Sequence, residues 1–184
     1  MHRLFILGCL ASLAFGETAF DLDPAKTDIN FTLHDVLHTV HGTFKLKRGA
    51  IQFDPATGKA GGEIVIDAAS GASGSGSRDK RMHKEILESQ KYPEAVFVPD
   101  NVQGRLETEG ESQLDVHGVF KIHGADHELT LHLLVDAQGG GRYTASTHFF
   151  IPYVKWGMKN PSNFFLKVDD TVAMDIKASA AAKP

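Results

Sequence analysis

Histidine is the residue type in this sequence best suited to chemistry, and most of the histidines come in two groups. His34, His38 and His41 follow one another closely. His117, His123, His127 and His132 scatter over one later stretch, and His148 comes after them. Neutral imidazole is a common ligand for zinc and copper, so a metal site is the first chemistry to weigh. An extended chain sends successive side chains to opposite sides. His34 and His38 then share a side and His41 takes the other, while His117 and His123 share the polar side of their segment. Cys9 is the single cysteine, and no His-Glu-x-x-His motif occurs. The pattern predicts histidines that face water or make single hydrogen bonds, and no metal ligands. A histidine-based metal-binding protein or hydrolase is the rival reading. It requires stoichiometric metal that is lost in His38→Ala or His123→Ala.

Arg78-Asp79 with His83 is a second constellation. Helical spacing puts Asp79 and His83 on one face, where a carboxylate and an imidazole can pair as base and acid. The plainer expectation is a link at a helix end that anchors the helix on the rest of the fold. No Gly-x-Ser-x-Gly elbow and no phosphate-cradling Gly-Lys-Ser/Thr loop is present. The expectation is a binding protein, not an enzyme, with no cofactor.

Strands must position whatever these residues do. Over Gln113–Val135, Leu114, Val116, Phe120 and Ile122 alternate with mostly polar residues. Leu129, Leu131, Leu133 and Val135 then do the same beyond a turn at Gly124, Ala125 and Asp126. A period of two gives each strand one oily face, and one hairpin cannot bury that face alone. Further strands are predicted at 20–23, 28–33, 36–47, 50–53, 62–67, 95–98, 101–108, 143–151 and 171–178. Gly42, inside one of them, marks a bend or a close backbone approach. Ser70–Ser77 reads as a mobile loop. It leads into the one convincing helix, Arg78–Ser89, with Ser77 as N-cap and Met82, Ile86 and Leu87 on one face. The class is all-β with one short helix, as an antiparallel sandwich or barrel. Near eight strands, a barrel can hold one small ligand.

Residues 1–16 read as a secretory signal peptide. His2 and Arg3 precede an apolar run from Leu4 to Phe15, and Ala14-Phe15-Gly16 suits cleavage before Glu17. Cys9 lies inside that run, so the mature chain has no thiol. Residues 17–178 form one domain, and 179–184 a frayed tail. The net charge of -4, from 19 Lys and Arg against 23 Asp and Glu, argues against a nucleic-acid partner. The expected location is periplasmic or secreted, and a homodimer and transient membrane contact are compatible with it.

Twelve phenylalanines and one tryptophan supply both core and wall material. Several ordered motifs run along the chain. Phe20-Asp21-Leu22-Asp23-Pro24 opens it. Ile29-Asn30-Phe31, His38, Gly42-Thr43-Phe44 and Gly49-Ala50-Ile51-Gln52-Phe53-Asp54-Pro55 follow. Then come Ile64-Val65-Ile66-Asp67, Arg78-Asp79, Lys91-Tyr92-Pro93, and Val116-His117-Gly118-Val119-Phe120-Lys121-Ile122-His123-Gly124. In this order and spacing the sequence resembles the YceI-like family of polyisoprenoid-binding periplasmic proteins. The helix segment and Ile151–Gly157 depart from the commoner family form. The resemblance implies a lipocalin-like antiparallel barrel around an apolar tunnel for an isoprenoid, such as an isoprenoid quinone, or another long-chain lipid. Oily-parity residues Phe31, Leu33, Phe44, Leu46, Ile64, Ile66, Phe120, Leu131 and Phe149 are expected to line that tunnel. Trp156, Met158 and Phe164 are expected at its mouth. A filled-core interaction module is the remaining alternative.

Overall fold

The alternation of apolar side chains becomes nine antiparallel strands in the computed structural model, which describes residues 18–164 and 166–183. They are β1 (Thr18–Leu22), β2 (Asp28–His34), β3 (Thr39–Phe53), β4 (Ala60–Ala72), β5 (Glu94–Gln103), β6 (Gly110–Ile122), β7 (Ala125–Gly139), β8 (Arg142–Ile151) and β9 (Val172–Ala182). Neighbours run β3–β2–β9–β8–β7–β6–β5–β4, and β4 pairs back onto β3. That last pairing closes a barrel and removes the exposed edges an open sheet would carry. β1 and β2 both lie between β3 and β9. They are two parts of one interrupted strand, broken where Asp23 caps the short turn Pro24–Lys26. The barrel therefore has eight strand positions. The signal-peptide reading lies outside the described residues.

Two strands are longer than the sequence suggests, for the same reason. β3 continues from Lys47 into Ala50–Phe53, and β5 continues from Val98 through Asn101. Register shifts lie between Leu46 and Arg48 and between Pro99 and Asn101. A bulge adds one residue and swaps inward and outward parity, so one strand reads as two. β4 runs on to Ala72, taking up residues assigned to a loop. There the Lys45 amide donates to Ser70 Oγ (2.8 Å) instead of to a ladder carbonyl. Residues 104–108 leave the sheet. The last strand does not fray after Ala178, because Ala180–Ala182 pair with Leu22–Phe20 of β1. The central hairpin turns on His123 and Gly124, both at positive φ (53° and 76°). That is the twist a tight two-residue hairpin demands. The helix is also shorter and earlier than expected. α1 is Gly76–Arg81, with Ser75 at its N-cap position, and it widens into a π-helical turn over Met82–Ile86.

The ends of the barrel differ. At the end reached by Thr18, Phe53 and Arg142, Phe20 stacks on Phe53 (centroids 6.1 Å) and Tyr143 meets Phe20 edge-on (5.4 Å). These rings, with Leu114, Val116, Val102 and Val135, fill that half as close-packed core. The other end carries residues 35–38, the helix segment, the His123–Gly124 turn and the long 152–171 loop. It is hollow.

Candidate functional site

The open half of the barrel holds a cavity of about 600 Å³. Phe31, Phe44, Ile66, Ala95, Phe120 and Met174 form its walls, and Met82, Ile86 and Leu87 bear on it from the helix segment. Its polar groups gather at the rim: His34, Asp35 and His38 on one side, and Ser73, Ser75, Ser77, Arg78 and Arg81 on the other. A deep apolar wall with a polar rim suits a molecule with a hydrocarbon tail and a polar head.

Of the twelve residues the sequence singles out, six line this cavity: Phe31, Leu33, Phe44, Ile66, Phe120 and Met158. Leu46 and Leu131 belong instead to the packed core, and Ile64 and Phe149 pack against it. Parity assigns all four to the inside but cannot say which inward side chains border empty space and which pack against others. Trp156 is not at the mouth. β7 and β8 pair only over Leu134–Gly139 and Arg142–Ser146, so their halves nearer the open end part. Beside that parting, Trp156 lies face to face on His127 of β7 (centroids 4.2 Å, 6° between planes) and 6.1 Å from Phe120. Phe164 stands outside the cavity altogether, 90% exposed. The helix residues Met82, Ile86 and Leu87 went unassigned to the site. Their shared helical face was the available signal.

Asp79 and His83 do not pair. Asp79 accepts from the Ser73 amide (2.8 Å) and from its hydroxyl, and the Ser73 hydrogen bonds hold its carboxyl below the usual carboxylate range. His83 Nε2 donates to the Gly71 carbonyl (2.8 Å), and Nδ1 shares a hydrogen bond with the Ser89 hydroxyl (3.1 Å). Both imidazole nitrogens thus tie the helix segment to the barrel. Tyr153, on the cavity wall, donates to the Asp169 carbonyl (2.6 Å), and burial pushes its phenol up to about 12. It stays neutral through neutral and mildly alkaline pH.

Outside the barrel, histidines pair with carboxylates across neighbouring strands. His117 lies 2.7 Å from Asp100 and 2.8 Å from Glu128, His132 2.6 Å from Asp115, and His148 2.7 Å from Asp175. The Asp100 hydrogen bond raises the His117 pKa. Among the described residues, no cluster of His, Cys, Asp and Glu is arranged to hold a metal ion.

Residues 20–180 match the family model described as the YceI-like domain. The chain belongs to this family. YceI-like architecture recurs in solved structures of low sequence identity. One is a polyisoprenoid binding domain from Saccharophagus degradans implicated in plant cell wall breakdown. It is 18% identical, with a TM-score of 0.70 over 90% of this chain and 99% of that one. Burkholderia cenocepacia BcnA is 20% identical, with a TM-score of 0.69 over 86% and 99%. The Campylobacter jejuni YCEI protein is 19% identical, with a TM-score of 0.63 over 80% and 87%. These likenesses establish the fold. No curated protein matches the chain.

The YceI-like barrel carries a built-in probe beside its cavity. Burial lowers the pKa of His127, and its Nε2 has no hydrogen-bond partner. The folded protein then keeps this imidazole neutral where an ordinary histidine, near pKa 6.5, is half protonated. As pH falls below about 6.5 the unfolded chain binds the proton first, so this site lowers stability on acidification. Trp156 is the sole tryptophan. Its emission should hold steady through neutral pH and be quenched only below about 6.5, when the stacked imidazolium forms. A pH titration of fluorescence checks this, and His127→Phe should abolish the step.

Proposed function

We propose that this YceI-like protein is an exported, non-enzymatic carrier that shelters the tail of an isoprenoid, such as an isoprenoid quinone, or another long-chain lipid. The observation that carries the reading is the cavity: apolar in depth, polar only at the rim, and closed below by the Phe20–Phe53–Tyr143 plug. Transfer of a tail from water into it is the driving force. At about 25 cal/mol per Å², burying roughly 300 Å² gains about 7 kcal/mol before ordering costs. A group the size of a water occupies about 30 Å³, so 600 Å³ accommodates about twenty chain atoms. That is about four isoprene units. A longer tail must leave part of its length at the rim or outside.

Phe31, Leu33, Phe44, Ile66, Phe120 and Met158 are assigned to tail contact. Leu46, Ile64, Leu131 and Phe149 belong to the core packed around that wall. The head group stays with the serines and Arg78 at the rim. The binding site falls in the mature part of the chain, and the signal-like residues 1–16 favour the periplasm or secretion. A filled-core module is disfavoured by the hollow half of the barrel.

Mass spectrometry of organic extracts from natively purified protein tests the reading, together with uptake of a fluorescent isoprenoid. A co-purified lipid and saturable uptake are expected. Protein that yields no lipid and takes up no probe contradicts it.

A further inference from the structure

On one side of the cavity's rim, two loops carry large apolar residues into solvent. Val36 is 65% exposed and Leu37 71% exposed, in the turn between β2 and β3. Phe164, 90% exposed, lies on the long loop between β8 and β9. The two loops are held side by side. The Val36 amide donates to the Lys167 carbonyl (3.2 Å), and Asp35 bridges Val168 as in a short strand pair. The turn itself is stiffened by Asp35, whose carboxylate accepts from the Leu37 and His38 amides (2.7 and 2.8 Å). Its geometry keeps Val36 and Leu37 pointing away from the barrel at a cost in exposed apolar surface that folding alone does not explain.

Charge is distributed in the same sense. The segments at this end, 35–38, 73–93, 123–124 and 152–171, hold eight Lys and Arg against six Asp and Glu, in a chain of net charge -4. Lys80, Arg81 and Lys84 are exposed on the helix segment beside the opening. Of the two acids on that segment, Glu85 is paired with Lys159 (2.9 Å) and Arg81 (3.5 Å), and Asp79 is taken up by Ser73. Among the described residues, the turns at the opposite end carry no large apolar side chain so exposed, and the aromatic rings there are turned inward as a plug.

Apolar tips flanked by cations match the boundary of an anionic lipid leaflet, where side chains enter the acyl region and lysines meet the head groups. The geometry points to the open end as a membrane-docking face. Val36 and Leu37 insert at the surface of an anionic bilayer, and Lys80 and Lys84 hold the barrel there. A tail can then pass between bilayer and cavity without crossing water. The inference rests on the cavity being a tail-binding site, and it adds the surface from which the tail arrives.

Co-sedimentation with vesicles of phosphatidylcholine containing phosphatidylglycerol, compared with phosphatidylcholine alone, tests it on the mature chain. Probe uptake from a detergent-solubilised isoprenoid is measured in parallel. Wild-type protein should sediment with the anionic vesicles, and less so as salt is raised. Val36→Ser combined with Leu37→Ser should weaken sedimentation about tenfold or more. Lys80→Glu with Lys84→Glu should do likewise. Neither pair contributes to the cavity wall, so detergent uptake should match wild type in both. Protein that takes up the probe but never sediments, or variants that sediment like wild type, overturn the docking face and leave the rim to a protein partner. Sedimentation that responds to both variant pairs in a protein that takes up no probe upholds the face and removes the carrier reading instead.

Discussion

Ala95→Phe should nearly abolish tail binding while leaving the barrel folded. Ala95 lies on the cavity wall of β5, opposite Ile66 of β4, and both side chains face the hollow. The small residue leaves room that a benzyl ring would fill. Adding a ring to a close-packed core forces side chains off their rotamers and costs about 1–3 kcal/mol. Here the ring enters empty space, so that penalty is largely absent. What changes is the length of tail that fits. Excluding about four methylenes at about 0.8 kcal/mol each removes about 3 kcal/mol, roughly a hundredfold in affinity. Titration with a fluorescent isoprenoid reads the loss, and a thermal melt of the same protein should move little. Binding unchanged in a folded Ala95→Phe protein would put the ligand elsewhere.

Gly42→Ala, by contrast, should damage both stability and binding. Gly42 sits across from Phe31 in the β2–β3 ladder, and the ring lies over it. A Cβ at Gly42 would stand 2.3 Å from Phe31 Cζ and 2.5 Å from the Ala72 carbonyl oxygen. The ring can swing away, but only toward the cavity. The carbonyl cannot yield without loosening the Thr43–Ala72 pair, the last contact closing β3 on β4 at the open end. The expected loss is about 2–3 kcal/mol of stability, near the upper end for overpacking. In a chain of this size that lowers Tm by roughly 5–10 °C. Denaturation and ligand titration together distinguish this outcome from that of Ala95→Phe. Only Gly42→Ala should move both.

Much of the fold was legible because its signal is local. The hairpin of β6 and β7 follows from alternation alone, and Gly42 in a strand pattern marks a bend or a close approach, of which the structure shows the close approach, to the Phe31 ring and the Ala72 carbonyl. The bulges in β3 and β5 were not legible. A parity swap at Lys47–Arg48 or around Pro99 looks, in sequence, like the end of one strand and the start of another. The cavity was half legible for a related reason. Phe44 and Leu46 have the same parity on one strand, yet the first lines the hollow and the second belongs to the core. The boundary between them is set by the packed half of the barrel, whose plug of Phe20, Phe53 and Tyr143 comes from strands far apart in sequence. No periodicity along one strand encodes that depth. The 152–171 loop has no period at all. Its apolar residues therefore went to three fates: Met158 into the wall, Trp156 beside the parting of β7 and β8, and Phe164 into solvent. The outer histidines show what register adds. Asp115 and His132 are direct cross-strand partners, as are His148 and Asp175. Once the strands are aligned, these imidazoles find carboxylates rather than one another.

Affinity across a series of prenyl alcohols of increasing chain length tests the central claim most directly, since it probes the depth of the hollow half of the barrel. Each added isoprene unit should tighten binding until the tail reaches about four units, the length that fills 600 Å³, and further units should add little. Affinity that ignores chain length, or no binding at any length, would contradict a hydrocarbon tail seated in this cavity.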